Sequence, residues 1–342
     1  MFLVDAGDAL AATHTLGPAR REGALATAKF IVDQYAAEHL DVLALGDRDL
    51  GLGRRTLAEL AAGAKFPFVA TNVFEVGGEK AAFADRALIE RDGLKVLFLG
   101  LVSPSSARMA EGALREDKLR VGEPIAAVKA VLAGTKADLV VVLSQLTPNE
   151  ERELAEAVPE VRLILGGDAM GARPSLEPVG QALGAEGSQK GKHIGVVTIT
   201  LDAPTGLAGA LVDPTRRVQL ERKQADAARR VASLEKRLAD AKARVPTAGP
   251  PPPIEVYERQ LAGARAELQL AQAGLEDASA LVPAGGNPVL FELVEMGTKV
   301  ADEPAVKAQV DAFRAKYPDP NKPPPPPPGT PIPLDAPIPV PH

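Results

Sequence analysis

Four short loops carry the residues that could do chemistry: Asp5-Ala6-Gly7-Asp8, Gly46-Asp47-Arg48-Asp49, Leu143-Ser144-Gln145-Leu146 and Gly166-Gly167-Asp168-Ala169-Met170. Each follows an apolar run that reads as a strand. The first is the most telling, because Phe2-Leu3-Val4 ending in Asp-x-Gly-Asp describes a buried strand that delivers a carboxylate to the sheet edge where α/β folds bind ligands. The same heptapeptide is equally consistent with an aspartate that caps a loop. Other chemistries have less to build on. Ser103, Ser105 and Ser106 flank Pro104 with no His or Lys placed by sequence to activate them. The glycine-rich stretch from Gly46 to Gly53 lacks the Lys-Ser/Thr ending of a phosphate loop. With no cysteine, disulfides, thiolate zinc sites and cysteine nucleophiles are excluded. The four histidines, His14, His39, His193 and His342, fall outside the four loops and read as surface or loop residues.

The elements that must position these loops alternate. Strand-like runs are expected at Phe2 to Val4, Val42 to Leu45, Phe68 to Ala70, Val96 to Leu101, Leu139 to Leu143, Leu163 to Leu165 and Ile194 to Leu201, with helical patterns between them. This is the pattern of an α/β sandwich. Ala24 to Glu38 carries apolar residues at helical spacing. Thr147-Pro148-Asn149-Glu150 is a capping box with proline at the first helical position. Asp92-Gly93 marks a hairpin turn before Val96, so the sheet is expected to be mixed rather than purely parallel.

After Asp202 the composition changes. Ala227, Val231, Leu234, Leu238, Ala241 and Val245 step by fours and threes, and after the breaker Val245 to Pro253 the series Tyr257, Leu261, Ala264, Leu268, Ala271, Leu275, Ala278 and Val282 repeats the spacing. Two heptad helices joined by one short loop predict an antiparallel hairpin over 213–282. Charge supports the pairing: Arg216 to Arg244 holds ten Lys/Arg against four Asp/Glu, and Glu255 to Asp277 holds five acidic residues against two Arg. A basic helix beside an acidic one is explained by complementarity within the hairpin before any nucleic acid is invoked. A strand-like run, Pro288 to Glu295, and a helix from Glu303 to Ala315 are expected to return to the α/β body as segment 283–317, leaving residues 1–212 as the main domain. Residues 318–342 form a proline-rich tail that cannot build a core.

Composition bounds the rest. The chain has 342 residues, 46% hydrophobic and 25% charged, enough for a large core, and a formal net charge of −6 that argues against a general nucleic-acid binder. No run is long enough to span a bilayer. Met1 is followed at once by what reads as a core strand, with no signal peptide in the chain as given, so an incomplete N-terminus is expected.

In order, spacing and flanking strands, the four loops resemble the motifs of the 5′-nucleotidase branch of the calcineurin-like metallophosphoesterases. These run Asp-x-His, Gly-Asp, Gly-Asn-His-Glu/Asp, a lone His after a strand, and Gly-His-x-His. Phe66 to Val73, Phe98 to Pro104 and Gly191 to Gly195 are similar to that branch as well. The resemblance covers residues 1 to 202 and the returning strand and helix. It implies a metallophosphoesterase-like β-sandwich flanked by helices, with the helical hairpin as an insertion.

The resemblance also implies a two-metal site, and there this chain departs from it. Asp8 alone keeps the ligand identity of its motif. Asp47 stands for the metal-binding Asn, Arg48 for the catalytic His, Gln145 for the lone His, and Asp168 and Met170 for both His of the last motif. The strand that would carry Asp-x-His would precede Met1. What remains is a cluster of Asp8, Asp47 and Asp168, the metal-site candidates, with Asp49 and Arg48 as the candidate catalytic residues. Converging carboxylates need a cation, a raised pKa or a guanidinium. A Ca²⁺, Mg²⁺ or Mn²⁺ ion is one solution. The preferred one needs no cofactor: Arg48 takes the place of the metals and locks Asp8 and Asp168 by bidentate hydrogen bonds. The resulting expectation is a non-catalytic binding or scaffolding protein of the periplasm or cell envelope. It would meet a protein partner, or a second copy as a homodimer, through the hairpin or tail, without nucleic acid and without a transmembrane segment. The alternative is a metal-dependent nucleotidase or phosphoesterase with a carboxylate-rich site.

Overall fold

The computed structural model describes residues 1–167, 175–187, 191–201, 207, 209–243, 254–281, 286–297 and 300–318. In chain order the elements are β1 (Val4–Asp5), α1 (Pro18–Ala37), β2 (Val42–Ala44), α2 (Asp47–Leu50), α3 (Arg54–Gly63), β3 (Phe68–Val69), β4 (Val73–Glu75), β5 (Ala87–Arg91) and β6 (Leu94–Val102). They continue with α4 (Glu111–Glu116), β7 (Leu119–Val121), α5 (Pro124–Gly134), β8 (Leu139–Gln145), α6 (Pro148–Ala157), β9 (Val161–Gly166), β10 (Glu177–Val179), β11 (Ala182–Glu186), β12 (His193–Ile199) and β13 (Leu211–Val212). The last are α7 (Arg216–Ala243), α8 (Ile254–Leu281), β14 (Asn287–Glu295) and α9 (Pro304–Lys316).

Two sheets face each other. One is parallel, in the order β1-β2-β3; the other runs β10-β11-β9-β8-β6-β5, parallel from β11 to β6 with an antiparallel strand at each edge. Side chains alternate along each strand, which sorts the apolar residues into layers. Val42, Ala44 and Val69 point inward against Phe98, Val141 and Leu143 of the larger sheet. Leu43, Leu45 and Phe68 point outward to Ala28 and Val32 of α1 and Leu57 of α3. On the opposite side Leu97, Leu99, Val140 and Ile164 meet Val128 and Val131 of α5 and Leu154 of α6. Each such fully buried Leu or Ile contributes about 2–3 kcal/mol.

The hairpin turn lies where Asp92 (φ 54) and Gly93 (φ 78) adopt left-handed conformations between β5 and β6. The capping box is formed: Thr147 Oγ1 accepts the Glu150 N–H, and the Glu150 carboxylate accepts the Thr147 N–H at 2.8 Å. β4, β7, β10, β11 and β13 are absent from the sequence expectation. β11, Ala-Leu-Gly-Ala-Glu, is buried throughout but lacks the β-branched residues that mark a strand. His193, expected on the surface or in a loop, lies in β12, where its Nδ1 is buried without a hydrogen-bond partner among the described residues.

α7 and α8 pack as an antiparallel pair around Val231, Leu234, Leu238, Tyr257, Leu261 and Ala264. The joining breaker, and Val245 and Val282 of the expected seam, lie outside what is described. The hairpin is inserted between β13 and β14, which pair with each other (Leu211↔Asn287, Val212↔Pro288), and β14 also pairs with β12 over seven residues.

The chain divides into two compact units, Met1–Met296 and Gly297–His342. The boundary falls between β14 and α9. α9 opens with Pro304 at its first position, and the Glu303 carboxylate accepts the Val306 N–H at 2.7 Å. Of the expected tail only residue 318 is described.

Candidate functional site

β1 and β2 are parallel neighbours in register Val4↔Val42 and Asp5↔Leu43, so their following loops leave the sheet side by side. Two consecutive left-handed residues, Gly7 (φ 105) and Asp8 (φ 60), then turn the first loop across the second. The approach is so close that a Cβ on Gly46 would sit 2.1 Å from Asp8 Oδ1, which makes glycine obligatory there.

The crossing brings the Asp8 carboxylate onto Arg48. Oδ1 accepts the Arg48 backbone N–H at 2.9 Å and Oδ2 accepts Nε–H at 2.7 Å. The Asp8 side chain is 6% exposed and that of Arg48 34%, so the pair is desolvated on the carboxylate side and reaches water on the guanidinium side. Burial raises the Asp8 pKa, Arg48 opposes the rise, and the Asp47 carboxylate adds to it.

Asp49 lies beneath this pair and is wholly buried. Its Oδ2 accepts the amides of Asp8 (2.8 Å) and Gly46 (3.0 Å), and its Oδ1 those of Leu10 (2.8 Å) and Ala11 (3.3 Å). The carboxylate therefore holds both crossing loops by their backbones. Burial and the Asp8 charge push its pKa up to about 7, against amides that favour the ionised form. Both oxygens of this candidate catalytic residue are engaged by backbone amides, and no solvent reaches them.

Asp47 is buried on the other side of the loop, where its Oδ2 lies 3.2 Å from His14 Nε2. His14, expected on the surface or in a loop, lies in the loop that leaves Asp8, partly buried beside the candidate site. Gln145, at the end of β8, donates from Nε2 to the Ala6 carbonyl at 3.0 Å and so ties the larger sheet to the turn at Gly7. Asp5 accepts the Gly7 N–H at 2.8 Å and the Tyr35 hydroxyl at 2.6 Å; burial raises its pKa despite both bonds. Asp168 and Met170 lie outside the described residues, so the expected Asp168 contact with Arg48 does too. Ser103 is enclosed in a polar knot with Ser105 (2.7 Å) and Glu150 (3.0 Å), and no imidazole is among its hydrogen-bond partners in the described residues.

Among the described residues, which do not include Asp168, the donor set does not suit a two-metal centre. Among the described residues no three His, Asp or Glu side chains are grouped to hold a metal ion. Asp8 and Asp49 have every carboxylate oxygen hydrogen-bonded to a donor of the protein, and a guanidinium supplies the positive charge at Asp8. The local chemistry is that of a closed ionic and amide lock.

No family model matches the chain. Over 179 residues it is 29% identical to a Bacillus subtilis protein described as the uncharacterized metallophosphoesterase YunD, a match that covers 50% of this chain and 37% of that protein. Over that half the chain is similar to a metallophosphoesterase. In fold, the structure of the calcineurin-like phosphoesterase YfkN from Bacillus subtilis superposes with a TM-score of 0.55 at 16% identity, covering 92% of this chain and 83% of YfkN. A 5′-nucleotidase precursor from Thermus thermophilus aligns at 25% identity and a TM-score of 0.44, over 60% of this chain and 43% of that one. The chain spans just over a third of the length of YunD. Among the described residues, no helix is long and apolar enough to cross a membrane.

Proposed function

We propose that this chain is a metallophosphoesterase-like, non-catalytic binding or scaffolding protein of the cell envelope. In this reading its strand-edge pocket is held shut by an ion pair, and its contacts are made through the hairpin 213–282 and the tail 318–342. The observation that carries the reading is the Arg48–Asp8 pair, with Nε 2.7 Å from Oδ2. A guanidinium bonded to that carboxylate takes up both the charge and the lone pairs that a metal ion would use. The envelope location rests on the resemblance to exported 5′-nucleotidases.

A second reading, a metal-dependent nucleotidase or phosphoesterase with a carboxylate-rich site, draws on the imidazole of His14 beside Asp47. One experiment separates the two. Thermal unfolding is followed with Ca²⁺, Mg²⁺, Mn²⁺ or chelator, and phosphate release from nucleoside monophosphates and a bis-aryl phosphate is measured in parallel. The scaffold reading expects no metal-dependent shift and no release above the Asp8→Ala background. A rise of several degrees with one metal replaces the Arg48 lock by a bound ion, and metal-dependent release lost in Asp8→Ala establishes the enzyme instead.

A further inference from the structure

Along α7 three basic pairs recur every seven positions: Arg222-Lys223, Arg229-Arg230 and Lys236-Arg237. Seven helical residues advance about 10.5 Å, so the pairs form a double row roughly 22 Å long. All six side chains are exposed, and they stand clear of the seam of Val231, Leu234 and Leu238 that faces α8. Pairing within the hairpin neutralises only part of the row. Arg230 meets Glu267 at 2.8 Å and Arg229 is held by Asp226 of its own helix, whereas Arg222, Lys223, Lys236 and Arg237 have no ion pair among the described residues. The other two bridges between the helices, Lys242–Glu258 and Glu235–Arg265, leave the row untouched.

We propose that this row seats α7 on the anionic headgroups of a phospholipid membrane, an inference independent of the state of the pocket. A second copy of the chain is a poor match. The acidic residues of α8 outside its bridges are Glu255 and, about 32 Å further along the helix, the neighbours Glu276 and Asp277, against basic pairs every 10.5 Å. A nucleic-acid groove is a poor match as well, because its walls bring phosphates to both flanks of a helix. Here Glu221 and Glu235 line one flank and Glu267 of α8 the other, and α7 has no aromatic residue to stack on a base. A plane touches the crest, where the six basic residues outnumber the two exposed carboxylates of that face, Asp226 and Asp240. Lipid headgroups diffuse and gather under a fixed row of charge, so no register is needed. The row carries no large apolar side chain, so the contact is electrostatic and salt-reversible. Since the whole chain has a formal net charge of −6, the row is a local exception that orients the approach.

The test is co-sedimentation of the full chain with vesicles of one-third phosphatidylglycerol in phosphatidylcholine, beside pure phosphatidylcholine vesicles and a double-stranded DNA duplex. Binding is expected to the anionic vesicles alone and to be released by salt. A basic residue near an anionic surface contributes roughly five-fold, so replacing Arg222, Lys223, Lys236 and Arg237 together by Gln predicts a loss of at least a hundred-fold. The pair Arg222→Gln/Lys236→Gln, expected to lose about 25-fold, serves if the fourfold variant loses helix content by circular dichroism. Failure of the unmodified chain to bind anionic vesicles at low salt, unchanged binding by the folded variants, or tighter binding to the duplex each overturns the proposal.

Discussion

Arg48→Ala tests the lock at its most exposed member. The substitution removes the Nε–H bond to Asp8 Oδ2 and leaves a carboxylate that is 6% exposed beside Asp47 and above Asp49, with the Arg48 backbone N–H still bonded to Oδ1. Breaking a buried ion pair by removing one partner costs about 3–5 kcal/mol. Because the Arg48 side chain is one-third open to solvent, water can enter the vacated space, and a loss of about 2–3 kcal/mol is expected. For a unit of this size that lowers Tm by roughly 4–12 °C. The loss has a pH signature. Asp8 already titrates above its ordinary value of 3.8, and Arg48 is the main group opposing the rise, so its removal raises Asp8 further. A carboxyl with a raised folded pKa gives stability that is full below the unfolded pKa and is lost as pH rises through the folded one. The variant should therefore lose more at pH 8 than at pH 5. Urea unfolding at both pH values reads this directly. A change below about 0.5 kcal/mol at both, or a larger loss at pH 5 than at pH 8, refutes the assignment of Arg48 as the counterion that holds the site together.

Two further outcomes are expected. Asp49→Asn keeps the shape but turns an NH₂ group toward backbone amides now bonded to carboxylate oxygens; two buried N–H groups lose acceptors, and urea unfolding at neutral pH should show a loss of about 2–4 kcal/mol. In the unmodified chain Asp5 and Asp8 are raised and Asp49 reaches about 7, so stability should fall as pH rises from 4 toward 7. Asp41 acts in the opposite sense at lower pH. Burial pushes it up, but its bonds to Arg91 and the Leu3 amide hold it below 3.8, so its contribution is lost only as pH falls beneath that value. A Tm profile that climbs steadily from pH 4 to pH 8 contradicts the raised values of Asp5, Asp8 and Asp49, and one that shows no loss below pH 3.8 contradicts that of Asp41.

Much of this was legible in the sequence because it is periodic or local. Val42-Leu43-Ala44 and Val140 to Leu143 announce buried strands, the heptad spacing from Ala227 to Leu275 announces the hairpin, and the capping box at Thr147 is read from four residues. The Arg48–Asp8 pair was also within reach, since both loops follow neighbouring strands. His14 was not. It reaches Asp47 only because a loop without any period folds back, and no sequence pattern encodes that path. The role of Asp49 was hidden for a related reason: its partners are backbone amides, and amides have no residue type to read. β11 escaped because its buried run of Ala, Leu and Gly holds none of the β-branched or aromatic residues that ordinarily signal a strand.

The way the hairpin is rooted bears on how such a chain can change over evolutionary time. Its stalk begins after Val212 and ends before Asn287, on strands that are hydrogen-bonded neighbours, so the ends of the insertion are pinned within about 5 Å of each other whatever lies between. Closing a longer loop across a fixed gap is inexpensive, about 0.6 kcal/mol for each doubling of length. Whole heptads could therefore be gained or lost from both arms together without straining the sheet below. The reach of the arm would then evolve as a quantity separate from the fold that carries it.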